Sequence, residues 1–214
     1  MSGTIRGNPE RSPRRGPRGD LDRGTWLAAG ERLLDREGVA ALSLRRLAAE
    51  AGATPNAFYT YFADLAELAN EVGDRFLGTL GLPAILQGSG SPRERIESTV
   101  RRIWTAIRDR PGLTALLASR RIVGAHSMRL NEELLRVLTG AGMALPTASA
   151  TVYALTAYLY GHLVCSVPDG ADETVRRALS GLEPTDFPLT GESWTAAHDE
   201  LPGLTELLDG LRLA

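Results

Sequence analysis

Hydrogen-bonding side chains of several kinds are gathered in one short stretch in the first third of the chain. Residues 54–61, TPNAFYTY, carry amide, hydroxyl and phenol groups at close spacing. If the stretch is helical, Phe58 and Phe62 fall at i and i+4, so both can enter one core and turn the polar groups outward or sideways. The outward groups are Asn56, Tyr59, Thr60 and Tyr61. Such a set on one outer face is typical of a helix that reads a DNA groove.

A second short helix is predicted immediately before this stretch. Ser43 is placed to cap its N-terminus and Gly52 to end it, while Thr54 and Pro55 suit the cap and first position of the helix that follows. Its apolar face consists of Leu44, Leu47, Ala48 and Ala51. Two short helices joined by a glycine turn form the helix-turn-helix of DNA-binding proteins.

The same region resembles the tetracycline-repressor (TetR) family of bacterial regulators. The likeness is carried by LSLRRLA at 42–48, AGA at 51–53 and FYTYF at 58–62, and it extends from about Leu21 to Leu68. The family usually has a lysine that contacts a DNA phosphate at the position of Leu65, so this chain lacks that contact.

Seven residues are predicted to contact DNA. Arg45, Asn56 and Thr60 are expected to read bases, because their side chains can bond to base edges. The phosphate contacts, which fix register without reading sequence, are assigned to Ser43, Thr54, Tyr59 and Tyr61.

The C-terminal part resembles the tetracycline-repressor type of regulatory domain, through Tyr153 to Ala157, Cys165 and residues 203–211. In that group the long helix and the last helix pair with their copies across a two-fold axis into a four-helix bundle. The resemblance therefore implies a homodimer. The interface residues expected on that basis are Leu155, Leu159, Leu204, Leu208 and Leu211.

A small-molecule pocket is predicted in the same part of the chain, because an apolar wall with a few hydroxyl and imidazole groups is the usual composition of such a site. The lining residues expected are Trp104, Ile107, Leu116, Leu117, Tyr153, Thr156, Tyr160 and His162. The same residues at helical spacing also fit an ordinary core, and both interpretations stay open.

Composition and charge limit the alternatives. The chain has 214 residues, 43% of them apolar, and a net charge of −2. Residues 1–62 carry 10 arginines against 7 acidic residues, and residues 63–214 carry 14 against 19. The basic excess, which would attract a polyanion, therefore lies in the part with the helix-turn-helix.

The distribution of reactive side chains argues against catalysis and metal binding. The single cysteine, Cys165, excludes an intramolecular disulfide, and no signal peptide is visible, so we expect a cytoplasmic protein. His126, His162 and His198 are scattered, and no catalytic spacing stands out. His162 and Cys165 could supply two metal ligands, but further candidates are distant. We expect no enzyme activity, no cofactor and no metal.

No stretch alternates with period two for long enough to be a strand, so the expected fold class is all-α. The expected domains are a disordered arginine-rich arm (1–19), a helix-turn-helix domain (20–66) and a helical regulatory and dimerisation domain (67–214). The arm is either an inert tail or a segment that reaches DNA phosphates or the minor groove. Loops are expected at 80–90 and 180–199. The uncharged segment 147–167 has the length of a membrane span, but its hydroxyl groups and missing basic anchor argue against one.

We interpret the chain as a homodimeric DNA-binding transcriptional regulator. It would be a repressor that leaves a pseudo-palindromic operator when a small-molecule inducer shifts the dimer to a state whose recognition helices no longer match successive major grooves. An alternative is a dimeric ligand-binding or interaction protein with weak or lost DNA binding, which Leu65 keeps open. A second alternative is an all-α enzyme with a vestigial first domain.

Overall fold

The computed structural model describes residues 21–165, 177–178, 180–195 and 200–211, and within these ranges every regular element is a helix. This confirms the all-α prediction. The predicted arm and His198 lie outside the described residues. The helices are α1 (Arg23–Glu37), α2 (Leu44–Glu50), α3 (Pro55–Phe58), α4 (Leu65–Thr79), α5 (Leu82–Gln87), α6 (Pro92–Ile107), α7 (Pro111–Ser119), α8 (Ala125–Gly140), α9 (Leu145–Cys165), α10 (Pro188–Thr195) and α11 (Leu204–Gly210).

The first three helices, which we call the head, enclose an aromatic core. The Trp26 ring meets the Phe58 ring edge-on at 5.3 Å, and Phe58 stacks on Phe62 at 5.3 Å. All three side chains are buried. Because Phe58 and Phe62 are fixed from inside the head, the residues between them are presented on its surface.

Helix α4 connects the head to the remaining helices, which we call the body. The Asp64 carboxylate caps α4 by accepting the Glu67 N–H at 2.7 Å. Leu68, Val72 and Phe76 bury one face of α4, so the head and the body share a continuous apolar core through this helix.

The prediction of a loop at 80–90 is wrong, because residues 82–87 form α5. Leu82 and Leu86 are four residues apart and buried, and they anchor the short helix against α6 and α8. An isolated helix of this length would not be stable in water. Tertiary packing overrides the glycines at both ends, and Pro83 lies in the first turn, where proline is tolerated.

The prediction of a long loop at 180–199 is also wrong. Pro184 begins a short 3₁₀ helix, Pro184–Asp186, and Pro188 begins α10. Proline suits the first turn of a helix because its missing N–H has no intrahelical partner there. The prolines therefore mark helix starts where the sequence suggested only a loop.

The long helix α9 is buried on one side only. Ala148, Val152, Leu155, Leu159 and Leu163 face the core. The opposite side is exposed at Ala150, Tyr153, Ala157 and Gly161. Among the described residues, no helix has both the length and the apolar character that crossing a membrane requires.

Candidate DNA-binding surface and ligand pocket

The helix-turn-helix is built by local hydrogen bonds close to those predicted. The Ser43 hydroxyl accepts the Arg46 N–H at 3.4 Å at the start of α2, and Gly52 takes the left-handed conformation, with φ of 65°, at the turn. Thr54 occupies the cap position of α3 but makes no side-chain capping bond. The Phe62 N–H bonds to the Phe58 carbonyl at 3.1 Å, so helical turns continue beyond α3.

Most of the predicted contact residues lie on the outer surface of the head. Asn56 and Thr60 are exposed, and Tyr59 has 60% of its surface exposed. Tyr61 is half-buried, and its hydroxyl donates to the Leu21 carbonyl oxygen, which ties the end of the motif to the start of α1. The assignment of DNA contacts to these residues stays a prediction.

Arg45 differs from the other arginines of the head. Its side chain is exposed and makes no hydrogen bond or ion pair within the described part of the chain. Arg46, its neighbour on α2, is paired with Glu37. Arg32 and Arg36 both bond to Glu50 at 2.6 Å. These hydrogen bonds, of which the one from Arg36 has the larger effect, lower the pKa of Glu50 to about 2.

Arg23 is a structural residue of this surface that the sequence did not reveal. Its guanidinium pairs with Glu67 at 2.7 Å and with Glu71, and it lies over the Phe62 ring at 4.1 Å. It also donates to the Tyr61 carbonyl oxygen. Because its acidic partners lie on α4, Arg23 fixes the end of the helix-turn-helix to that helix. Contacts over such sequence separations leave no local pattern.

Leu65 lines an open groove beside the exposed polar residues. The groove has a volume of about 430 Å³ and is bordered by Leu44, Phe58, Tyr59, Ala63, Asp64, Leu65 and Ala66. Leu65 is half-buried, so this position offers apolar surface where a lysine would offer a charge.

In the predicted pocket region, an aromatic cluster joins α6 and α9. The Trp104 and His162 rings meet at 4.6 Å, and Tyr158 stacks on His162 at 6.1 Å. The Tyr158 hydroxyl donates to the Pro202 carbonyl oxygen at 3.0 Å, just before α11. Tyr158 was missed by the sequence analysis, although its i, i+4 relation to His162 was visible.

The other predicted pocket residues are divided between the core and the surface. Ile107, Leu116 and Leu117 are buried, whereas Tyr153 is 76% exposed and Thr156 is exposed on the outer side of α9. Tyr160 is half-buried, and burial raises its pKa. The eight residues are therefore not brought together around one space, and the pocket stays a prediction.

A small cavity of about 80 Å³ lies elsewhere, between α1, α4 and α7. Its walls are Glu31, Leu34, Val72, Phe76, Thr79, Arg110 and Leu113, none of which was predicted to line the pocket. Arg110 also donates two hydrogen bonds to the Asp35 carboxylate, at 3.0 and 2.9 Å, so one wall of the cavity links the head to the body.

The leucines predicted at the dimer interface lie mainly inside one protomer. Four of them are buried in its core, and Leu211 is half-buried. The buried four are Leu155, Leu159, Leu204 and Leu208. Within the described ranges, no three histidine, cysteine or acidic side chains are grouped as metal ligands, and Cys165 is exposed.

Comparison with known proteins assigns both parts of this architecture. Residues 27–72 match the family described as bacterial regulatory proteins, tetR family, and residues 82–212 match the tetracyclin repressor-like C-terminal domain. The transcriptional repressor DrrR1 of Streptomyces coeruleorubidus is 30% identical over 151 residues, covering 71% of this chain and 56% of that relative.

Two solved structures have a similar fold. The TetR family protein ActR of Streptomyces coelicolor, in complex with actinorhodin, has a TM-score of 0.74 at 22% identity and covers 90% of this chain and 97% of its own. BioQ with its double-stranded DNA operator has a TM-score of 0.61 at 27% identity, covering 90% and 98%. An all-α chain with an exposed helix-turn-helix and a helical body has the architecture of a bacterial regulator. The chain belongs to the TetR family.

Proposed function

We propose that this protein is a transcriptional repressor that binds a two-fold symmetric operator as a homodimer and is released by a small-molecule inducer. The observation that carries the proposal is the outer surface of the helix-turn-helix. There Asn56, Tyr59 and Thr60 are exposed, while Phe58 and Phe62 are buried behind them. This gives a rigid backing to groups that can bond to base edges and phosphates.

The distribution of charge supports different roles for the predicted arm and the head in DNA binding. Residues 21–62 contain five arginines and five acidic residues, so the folded head has no basic excess. Residues 1–20 contain five arginines and two acidic residues, and they supply the whole excess of the N-terminal region. We assign most of the non-specific attraction to phosphates to the predicted arm, and sequence reading to the head.

Salt dependence tests this assignment. Exchanging the five arginines of residues 1–20 for glutamine should lower the slope of log affinity against log salt concentration by up to about 4.5, because each phosphate contact contributes about 0.9. The preference for the operator over unrelated DNA should remain. An unchanged slope would make the arm an inert tail.

We propose that the partner protomer covers the exposed side of α9, around Tyr153 and Ala157. This side is uncharged, and the buried side of the same helix is already occupied by its own core. Two copies packed along it about a two-fold axis would give a symmetric dimer, as a two-fold symmetric operator requires.

Ligand control is proposed on the shared fold and on the aromatic cluster. ActR, which has this fold, was solved with actinorhodin bound. In the present chain Trp104, Tyr158 and His162 form an aromatic surface between α6 and α9. An inducer bound there would have to prefer the dimer state that does not fit DNA, since equal affinity for both states shifts nothing. We propose the cytoplasm as the compartment, since that is where bacterial DNA is read.

Binding to the DNA upstream of the gene that encodes this chain distinguishes the proposed repressor from the alternative functions. Fluorescence anisotropy with a duplex from that region should give tight, saturable binding that survives an excess of unrelated DNA. The variant Asn56→Ala should weaken this preference by about 1–3 kcal/mol while keeping its fold. A folded dimer that binds all DNA with the same weak affinity would instead support the ligand-binding or interaction protein with lost DNA recognition.

A further inference from the structure

The groove of about 430 Å³ beside the predicted DNA contacts is largely apolar. Phe58, which is 1% exposed, borders it from the core of the head, and the Tyr59 ring meets the Phe58 ring edge-on at 5.6 Å. Leu44 on α2 and Leu65 on α4 are both half-buried and add aliphatic side chains to its border. A groove of this composition favours an apolar group as its occupant.

The charge of the groove disfavours a phosphate. Its seven bordering residues, all within the described part of the chain, include one charged side chain, the Asp64 carboxylate, and no basic one. Asp64 accepts the Glu67 N–H at 2.7 Å, so two carboxylates already offset the positive end of α4. A phosphate placed in the groove would be repelled by both.

The border formed by the start of α4 is fixed by hydrogen bonds within the head. The Ala63 N–H donates to the Glu67 carboxylate at 2.6 Å, and Glu67 pairs with Arg23 of α1 at 2.7 Å. Leu65, the first residue of α4, lies between these fixed positions. The groove is therefore formed before DNA binds, and covering it costs little conformational entropy.

The groove is continuous with the predicted reading surface. Leu44 directly precedes Arg45, and Tyr59 directly precedes Thr60. Arg45 and Thr60 are exposed and are predicted base readers. A base pair that meets these readers therefore brings its major-groove edge close to the groove. The apolar group on that edge of DNA is the C5-methyl group of thymine.

We propose that the groove receives the methyl group of one thymine in each operator half-site, and that Leu44 and Leu65 select thymine there. Neither leucine is among the seven residues predicted to contact DNA. The Tyr59 hydroxyl stays available for a phosphate while its ring packs on the methyl group. This inference rests on the proposed function, because a thymine can be selected only if the head reads an operator.

Uracil in place of thymine removes this methyl group and leaves the base pair intact. Each thymine of the operator is replaced by uracil in turn, symmetrically in both half-sites, and fluorescence anisotropy gives the affinity at fixed salt. Burial of one methyl-sized group is worth a factor of about four in affinity, so loss of both methyl groups should weaken binding roughly fifteenfold at one thymine pair. The absence of any such position would overturn the proposal.

Leu65→Ala tests whether the groove causes this sensitivity. The difference between the thymine and uracil operators should largely disappear in the variant, because much of the apolar surface has been removed. The control is Leu77→Ala, which truncates another half-buried leucine near the other end of α4 and should keep the full difference. Circular dichroism checks that each variant is folded. Leu44→Ala decides the question if Leu65→Ala does not fold.

The possible outcomes separate this inference from the proposed function. Equal weakening of the thymine and uracil operators by Leu65→Ala would indicate contact with the sugar–phosphate backbone and would overturn the thymine assignment. Loss of the difference in Leu77→Ala as well would also overturn it, because the sensitivity would then not depend on the groove. Specific operator binding without a uracil effect refutes this inference alone. Binding without any sequence preference refutes the proposed function together with it.

Discussion

Replacing Phe58 by alanine removes the ring at the centre of the head. The side chain is 1% exposed and contacts the rings of Trp26 and Phe62, each at 5.3 Å. Truncation of a buried phenylalanine costs about 3–5 kcal/mol, and the loss of three aromatic pairs, with Trp26, Phe62 and Tyr59, places this site near 4 kcal/mol. For a chain of this size each kcal/mol lowers the melting temperature by roughly 2–4 °C, so a fall of about 8–16 °C is expected.

Tyr59→Phe is the matched control for Phe58→Ala. Tyr59 is the next residue, is 60% exposed, and keeps in this variant the ring that meets Phe58 at 5.6 Å. Its stability should therefore stay within about 0.5 kcal/mol of the unaltered chain, while its affinity for all DNA sequences falls alike. Circular dichroism melting and anisotropy measure the two effects. Equal melting temperatures for Phe58→Ala and the unaltered chain would refute the assignment of Phe58 to the core.

Five further substitutions, grouped in three experiments, test DNA reading, the acid stability of the head and the two sides of α9. Arg45→Ala should cost about 1–3 kcal/mol of operator binding and relax preference at one base pair, whereas Arg46→Ala, whose guanidinium already pairs with Glu37, should have the smaller effect on preference in the same titration. Glu50 has its pKa lowered from 4.5 to about 2, so its stabilising contribution is complete above pH 4.5 and is lost as the pH falls towards 2. Acid melting curves of Glu50→Gln should lack this contribution. On α9, Tyr153→Arg should give folded monomers in sedimentation, and Leu159→Arg should unfold the chain, because only the second places a charge in the core.

The predictions that succeeded from sequence rest on local rules. Serine followed three residues later by glutamate is the sequence pattern of a capping box, and Ser91 and Glu94 form one, with the Ser91 N–H donating to the Glu94 carboxylate at 2.8 Å. The cap at Ser43 and the glycine turn at Gly52 are also in place. Each of these depends on residues within about four positions of one another, so periodicity and turn chemistry suffice.

The features that could not be predicted from the sequence depend on contacts between distant segments. Helix α5 is short and is held by packing on α6 and α8. Arg23 meets its partners on α4, 44 and 48 residues away. The Asn70 side chain bonds to the Val123 backbone and the Asp74 carboxylate to the Ser127 N–H, each across a separation of 53 residues. A single sequence carries no periodic signal for such pairs, because each is fixed by how helices cross.

The division of α9 into two sides shows the same limit for the candidate site. Sequence predicted a helix that meets its own core and a partner, but it assigned Leu155 and Leu159 to the partner and Tyr153 to the pocket. In the structure the leucines face the core of the protomer and Tyr153 faces outward. An uncharged helix has too little contrast between its faces to orient it from its own residues.

The central claim is that the exposed side of the helix-turn-helix reads a specific DNA sequence, and base-pair substitution crossed with protein substitution tests it most directly. Every base pair of one operator half-site is changed in turn, and the affinities of the unaltered chain and Asn56→Ala are measured at fixed salt. The account predicts that Asn56→Ala loses discrimination of about 1–3 kcal/mol at one position and keeps it at the others. An identical preference profile for the two proteins at every position would contradict it.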